Sequence, residues 1–444
     1  MTLPQAAAAR APAITSRSVL AIAVPIMISN VSTPLLGVVD TAVVGRLPEP
    51  AYIGAVALGA LIFNFVFWGF GFLRMGTTGL TAQALGARDS SEIRASLGRA
   101  MLIAVAVGTL LIALQWPIRL LAFALLDGSA RVEELARGYF DIRIWAAPAT
   151  LANYALLGWF IGLGHARTAL ALQLVLNLSN MLLDALFVLW LGMGVTGVAA
   201  GTVIAESLAA LAGAAMALRH LRRSGGAWSR ARLLERGRLA RAIAVNRDIM
   251  IRSAALILVF VWFMAQGAKQ GDTVLAANAV LMQFIAVAAY FLDGIAFTAE
   301  ALVGRAVGAA DRALLQRAVR LTTAWAALLA VLACLAFAAL GPQLVDLLSV
   351  SPGVREAARA YLPWAALAPL AGVWAFQLDG IFIGATRTAQ MRNAMLTTLA
   401  IYLVAWWALT PWGNHGLWAA LYVSYAARTL TLLHYYRGLL KDAG

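Results

Sequence analysis

Apolar residues run in stretches of about 20 or more along nearly the whole chain, and the charges collect in the short polar segments between them. A run of that length crosses a hydrocarbon core as helix. Nothing alternates apolar and polar residues at period two for long, which excludes the strands of a transmembrane barrel. The pattern predicts helices over 18–45, 51–80, 95–116, 138–163, 168–191, 196–218, 249–268, 274–302, 314–341, 358–384, 390–411 and 416–436. The fold class is therefore an all-α membrane protein with twelve transmembrane helices. The first run, Val19 to Leu47, is long, carries Pro25, Pro34 and Asp40 and lacks an evident small-residue cleavage site, so it is read as a span rather than a signal peptide.

Composition agrees: 62% of the 444 residues are hydrophobic and only 12% charged, against about 25% charged in a soluble domain. The net charge of +14 would suggest nucleic acid in a soluble protein, but here its placement reports topology. One alternate set of loops, with the termini, holds 23 of the 34 basic residues, among them Arg10, Arg17, Arg88, Arg94, Arg99 and nine arginines from Arg219 to Arg247. By the positive-inside rule both termini and the long loop after the sixth span are cytoplasmic. That loop reads as a linker held inside by its charge, with an anionic-lipid site as the other reading. The single cysteine, Cys334, lies in an apolar run and reads as a packing residue, so one chain can build neither a disulfide nor a cysteine-ligated metal site.

Sliding the sequence on itself by 222 residues aligns TAQALGARD (81–89) with VGRAVGAAD (303–311), pairing Gly86 with Gly308 and Asp89 with Asp311. The same offset pairs Arg137 and Tyr139 with Arg359 and Tyr361, and GWFIG (158–162) with GIFIG (380–384); after a gap of two, ARTA (166–169) meets TRTA (386–389). Two six-helix lobes follow, 1–218 and 249–444, joined by a basic linker over 219–248. Because both begin on the same side, they form parallel repeats about an axis along the membrane normal, with a central cleft between them. The paired G-x-x-x-G segments read as close helix packing rather than dimerisation.

Acids inside spans are costly and by default functional. Asp40, Asp184, Glu206, Asp293, Glu300 and Asp379 are placed there, and none has an acidic counterpart at the repeat offset. Asn177, Asn180 and Asp184 form one stripe at i, i+3 and i+7, while Thr202 and Glu206 stand at i and i+4 on the next helix. Glu206 is read either as part of that pocket or as an acid near the membrane surface. Carboxylates facing one dry pocket beside a Pro-kinked helix cannot all ionise, so protons can bind and leave. In the other half, Tyr290, Asp293, Phe297 and Glu300 share a helix, and Gln377 lies beside Asp379 in QLDGIFIG. A mixed aromatic and acidic face suits an organic cation, although pairing of Asp293 and Glu300 with Arg305 is the bland alternative. Arg74 and Arg252, both inside spans, are the natural counter-ions. GMGVTG (192–197) joins two membrane helices without a preceding strand, so it reads as a turn and not a dinucleotide site. No Walker A, H-E-x-x-H or G-x-S-x-G sequence occurs. No enzyme, metal centre or ATP-driven pump is expected.

With these residues assembled, the chain resembles the multidrug and toxic compound extrusion (MATE) transporters, in their DNA-damage-inducible F branch. The resemblance runs over nearly the whole length and is strongest in PLLGVVDTAVVGRL (34–47), LLDALFVLWLGMGVTGVAAGTVIAE (182–206), LDGIAFTAEALVGRAVGA (292–309) and LDGIFIGATRTAQMRNAM (378–395). It implies a V-shaped cleft and export of lipophilic, often cationic compounds against a proton or sodium gradient across a bacterial cytoplasmic membrane. Asp40, Asn180, Asp184 and Thr202 match that branch's amino-lobe proton and cation site. The substrate cavity is expected to draw on Tyr290, Asp293, Phe297, Glu300, Gln377 and Asp379, with Asn153 and Tyr154 from the fourth span. Expected partners are small organic substrates and membrane lipids, with no nucleic acid, in a monomer; the coupling ion, a proton or possibly sodium, stands in place of any cofactor. A lipid-linked precursor flippase is the rival, but it would need a basic cavity, and the intramembrane charges are mostly acidic.

Overall fold

The computed structural model describes residues 14–47, 49–126 and 128–441; Arg10 lies outside the described residues. Twelve long helices account for most of them: α1 Ser16–Val44, α2 Pro50–Gly86, α3 Ser90–Ala113, α4 Ala130–Gly162, α5 Ala166–Trp190, α6 Gly194–Arg223, α7 Arg236–Ala268, α8 Asp272–Gly308, α9 Arg312–Leu348, α10 Pro352–Gly384, α11 Thr388–Leu409 and α12 Gly413–Lys441. Eleven stretches of the described residues are long and apolar enough to span a bilayer, with α11 and α12 together forming the last of them, Thr388–Lys441. Several outrun their predicted bounds, α4 by a full charged turn and more, because outside the hydrocarbon a polar segment can stay helical. For the same reason α6 and α7 extend into the basic linker and leave only 224–235 between them.

The 222-residue offset is built into the backbone. The helices α2 and α8 begin and end at equivalent positions, as do α4 and α10. Asp89 caps α3 by accepting from the Glu92 N–H at 3.0 Å, and Asp311 caps α9 by accepting from the Leu314 N–H at 2.8 Å. Arg88 and Ala310, just before those caps, both adopt left-handed backbone. So do Gly164 and Thr386, ahead of α5 and α11. The repeat therefore keeps its register there, and the ARTA and TRTA match two residues out of step is coincidental. Ala166 and Thr388 are the true counterparts.

Small residues fix how closely the helices pack. A Cβ on Gly158 would lie 2.3 Å from the Arg74 carbonyl oxygen, and one on Gly380 2.4 Å from that of Ala296, the equivalent contact in the other lobe. One departure from symmetry matters: α2 breaks at Gly69–Gly71 while α8 runs on unbroken through the matching stretch. At the arginine-rich end one apolar core, with Trp159 and Leu163 from the first lobe and Leu302 and Phe382 from the second, spans both lobes. Towards the opposite end each lobe has its own core, around Phe63, Tyr139 and Phe140 in one and Phe263, Phe284 and Trp418 in the other. Joined at one end and separately cored at the other, the lobes form a V that leaves a cleft.

Candidate functional site

A cavity of about 720 Å³ opens in the cleft, walled by α1, α2, α4, α5 and α6, with Ile257, Phe260 and Val261 of α7 on the side of the second lobe. Its polar wall begins on α5 with Gln173, Asn177 and Asn180, and Asp184 continues the same helical face as the spacing predicts, buried and without itself lining the cavity. Gln173 donates to Asn177 at 3.0 Å, and Asn177 donates to the Ser32 hydroxyl of α1 at 2.8 Å. With its amide nitrogen turned towards the carboxylate, Asn180 donates to Asp184 Oδ2 at 3.2 Å and meets the Thr202 hydroxyl at 3.0 Å. Gly201 of α6 lies so close that a Cβ there would sit 2.3 Å from Asp184 Oδ1. Directly after Asp184 the helix widens into a π-turn over Ala185–Trp190, a local rearrangement that tends to mark working sites.

Asp40 of α1 reaches the same point, and its carboxyl is in hydrogen-bonding contact with that of Asp184. One oxygen of each, Oδ1 in both cases, is buried without a hydrogen-bond donor among the described residues. Two carboxylates only accept hydrogen bonds, so such a contact needs a proton between them to be favourable. Asp40 follows Pro25 and Pro34, which remove two backbone donors from α1.

Arg74, Arg143, Arg252 and Arg428 lie near the middle of their helices, and all four are bound to acids. Arg143 holds Glu206 in two contacts, Nη2 to Oε1 at 2.6 Å and Nη1 to Oε2 at 3.3 Å, while the Thr150 hydroxyl also donates to Oε2. The guanidinium lies 5.3 Å from the Phe63 ring centre and 5.1 Å from that of Phe67. Arg74 crosses from one lobe to the other, meeting Glu300 at 3.2 Å and lying 3.6 Å over the Phe297 ring. Arg252 and Arg428 both pair with Asp379. Asp293 has Arg74 and Arg252 as its neighbouring positive charges. Among the described residues, the acid that lines the cavity without an arginine partner is thus Asp40, with Asp184 buried beside it.

The structure brings Asp40, Asn180, Asp184 and Thr202 together as neighbours, while Asn153 and Tyr154, expected beside the second-lobe set, line the same cavity wall as Asp40 instead. Glu206 is buried in that wall instead of lying near a membrane surface. The second-lobe set is elsewhere. Tyr290, Asp293, Phe297, Glu300, Gln377 and Asp379 do not line the cavity; Glu300 and Asp379 face arginines, and Gln377 donates to the Thr322 hydroxyl at 2.7 Å. Glu300 takes Arg74 across the lobes, not Arg305 of its own helix. Arg143 and Arg428 were missed as intramembrane charges. Arg143 follows the charged stretch ARVEELARGYFD, which hides it among loop bases, and Arg428 stands alone in an apolar run.

A polytopic bundle of two related lobes around a buried polar cavity defines a membrane transporter. Comparison with known proteins agrees. The MatE family model matches residues 25–186 and 249–407, one segment in each lobe. The chain is 41% identical over 417 residues to DNA damage-inducible protein F of Escherichia coli (strain K12), covering 94% of this chain and 91% of that one. It is 30% identical over 423 residues to a probable multidrug resistance protein NorM of Bradyrhizobium diazoefficiens, covering 88% and 84%. Among solved structures, a MOP superfamily transporter from Pyrococcus furiosus superposes with a TM-score of 0.86 at 18% identity, covering 96% of each chain. An outward-facing multidrug resistance MATE family transporter superposes at 0.84 with 17% identity, again over 96% of each. The chain belongs to the MatE family of multi-pass membrane transporters.

Proposed function

We propose that the protein is a proton-coupled antiporter that exports lipophilic, often cationic organic compounds across a bacterial inner membrane, with the arginine-rich end and both termini in the cytoplasm. The observation that carries this reading is the Asp40–Asp184 contact, with Asp40 on the cavity wall and Asp184 buried beside it and no arginine to neutralise the pair. A shared proton leaves the pair with one negative charge; a second proton makes it neutral, and loss of both makes it doubly negative. A cationic substrate and the second proton then compete for the same carboxylates, which is the condition for exchange. Aromatic wall residues Phe63, Phe67 and Tyr154 supply apolar contact for the rest of such a molecule. The names of relatives, multidrug resistance proteins among them, support the substrate class.

A proton crossing 100 mV carries about 2.3 kcal/mol, so one proton sustains roughly a 50-fold gradient of a neutral compound from the electrical term. Asn180 and Thr202 oxygens beside two carboxylates also resemble a hard-cation site, and sodium is the other candidate ion. Efflux of a fluorescent cation from vesicles, with proton and sodium gradients imposed separately, tests the proposal. Uphill transport on the proton gradient alone is expected; transport that needs sodium and ignores the proton gradient would replace proton with sodium coupling.

A further inference from the structure

The basic segment between the lobes is docked onto the bundle rather than strung loosely between its halves. Arg94, buried on α3, donates to the carbonyls of Leu221, Ser224 (2.7 Å) and Gly225 (3.3 Å). Arg99, also buried, donates to the Arg232 carbonyl at 2.9 Å. From the segment itself, Arg232 grips both oxygens of Asp89 at 2.6 and 2.8 Å, and Arg238 reaches Glu92 at 2.7 Å. Gly98 of α3 receives Leu233 and Trp228, whose nearest atoms lie 2.7 and 3.3 Å from where its Cβ would stand. A flexible tether would need none of these contacts.

What the docked segment turns outward is therefore fixed in place. Arg222, Arg223, Arg230 and Arg236 are exposed and make no ion pair among the described residues. Among them stand Trp228, 52% exposed, and Leu234, 47% exposed. The acid within the segment, Glu235, is taken by Arg238. Several unpaired arginines around an exposed indole, beside the end of a membrane helix, match the interfacial layer of an anionic bilayer: phosphate oxygens for the guanidinium forks and the headgroup boundary for the indole. We infer that this face, from Arg222 to Arg236, is a docking site for anionic phospholipid in the leaflet bordering the arginine-rich end. The inference requires only that the bundle spans a membrane, and it stands or falls independently of the transported compound and the coupling ion.

The full chain, reconstituted with equal phosphatidylglycerol and phosphatidylcholine and then released for native mass spectrometry, provides the test. Phosphatidylglycerol should be retained preferentially. Replacing Arg222, Arg223, Arg230 and Arg236 together by Gln should lower that enrichment by about tenfold or more, since each basic residue near an anionic surface contributes a several-fold factor. Replacing the same four by Lys keeps the charge and should keep most of the enrichment, which guards against a fold defect in the Gln variant. Equal retention of the two lipids by the wild type, or undiminished enrichment in the Gln variant, would overturn the assignment.

Discussion

Gly86 and Gly308 cross at the joint between the lobes, each occupying the space that the other's helix leaves. A Cβ on Gly86 would stand 2.0 Å from the Arg305 carbonyl oxygen, and one on Gly308 would stand 2.0 Å from that of Gln83, the position equivalent to Arg305. The two contacts are related by the internal repeat, and both press on backbone, which cannot swing aside as a side chain could. Replacing either glycine by Ala should therefore push α2 and α8 apart at the arginine-rich end. A loss of about 1–3 kcal/mol is expected from such overpacking. Melting of the purified protein should fall by several degrees, with a parallel loss of transport; an unchanged melting curve would mean that the joint is looser than these distances require.

The buried Arg143–Glu206 pair makes a second prediction. Glu206→Gln leaves a guanidinium in the cavity wall without its carboxylate, a change that typically costs about 3–5 kcal/mol. Replacing both members by Met removes the charge and the penalty together, so the double variant should be more stable than either single one. A double-mutant cycle on thermal stability reads the coupling. Additive losses would show that the pair does not interact energetically.

Glu300 is bound by Arg74 of the other lobe and lies outside the cavity, which shapes what its removal should do. Glu300→Gln should slow transport of cationic and neutral compounds by the same factor, because the interlobe contact is loosened for every substrate alike. A loss confined to strongly cationic compounds would instead restore a direct part for this carboxylate in recognition.

Much of this arrangement was legible in the chain because a duplicated scaffold leaves duplicated signals. Gly86 with Gly308 and Asp89 with Asp311 mark the same turn twice, and both the glycine crossing and the caps follow from them. The α5 stripe from Asn177 to Asp184 was readable because helical periodicity puts those side chains on one face whatever lies opposite. What lies opposite was not readable. Glu206 and Arg143 are 63 positions apart, and Arg74 and Glu300 are 226 apart; only the packing of separate helices decides which charges meet. The break at Gly69–Gly71 is hinted at by WGFGF, but the π-turn after Asp184 has no residue signature, since ALFVLW would serve equally well in an ordinary helix.

Outside the spans, Asp89 ties the basic segment to α3 through Arg232. Its burial would raise the carboxyl, yet the Glu92 N–H, Arg232 and the charge of Arg238 outweigh that and hold it below its ordinary value of 3.8. A depressed folded value means that the contact contributes stability above about pH 3.8 and loses it as pH falls through the lower folded value. Hydrogen-exchange protection of residues 224–235 should accordingly persist through neutral and mildly acidic pH and drop only below the ordinary carboxylate range. Asp89→Asn keeps a capping oxygen but loses the ion pair, and it should show weakened protection at every pH. Equal protection in the variant and the wild type at neutral pH would mean that Arg94 and Arg99 hold the segment unaided.

The Asp40–Asp184 contact carries the last and most consequential prediction. In the wild type, lowering the pH on the open side of the cleft should add the second proton, neutralise the pair and weaken binding of a cationic compound. Raising the pH should strengthen it. Asp184→Asn leaves Asp40 beside a carboxamide, which donates a hydrogen bond and carries no charge, so Asp40 no longer needs a proton to share the contact. One titrating carboxyl then replaces the coupled pair, so a single protonation step remains in place of two. Binding of the cation should depend on pH less steeply than in the wild type, and transport driven by a proton gradient should fall to the level of passive exchange, while downhill movement of the cation persists. Asp40→Asn should behave alike, because the contact needs both carboxyls. Binding measured across pH in detergent, with transport measured in vesicles at fixed sodium, separates these effects. If either variant keeps both the wild-type pH dependence and uphill transport on a proton gradient alone, that carboxylate does not carry the exchanged proton, and the coupling site must be sought elsewhere in the bundle.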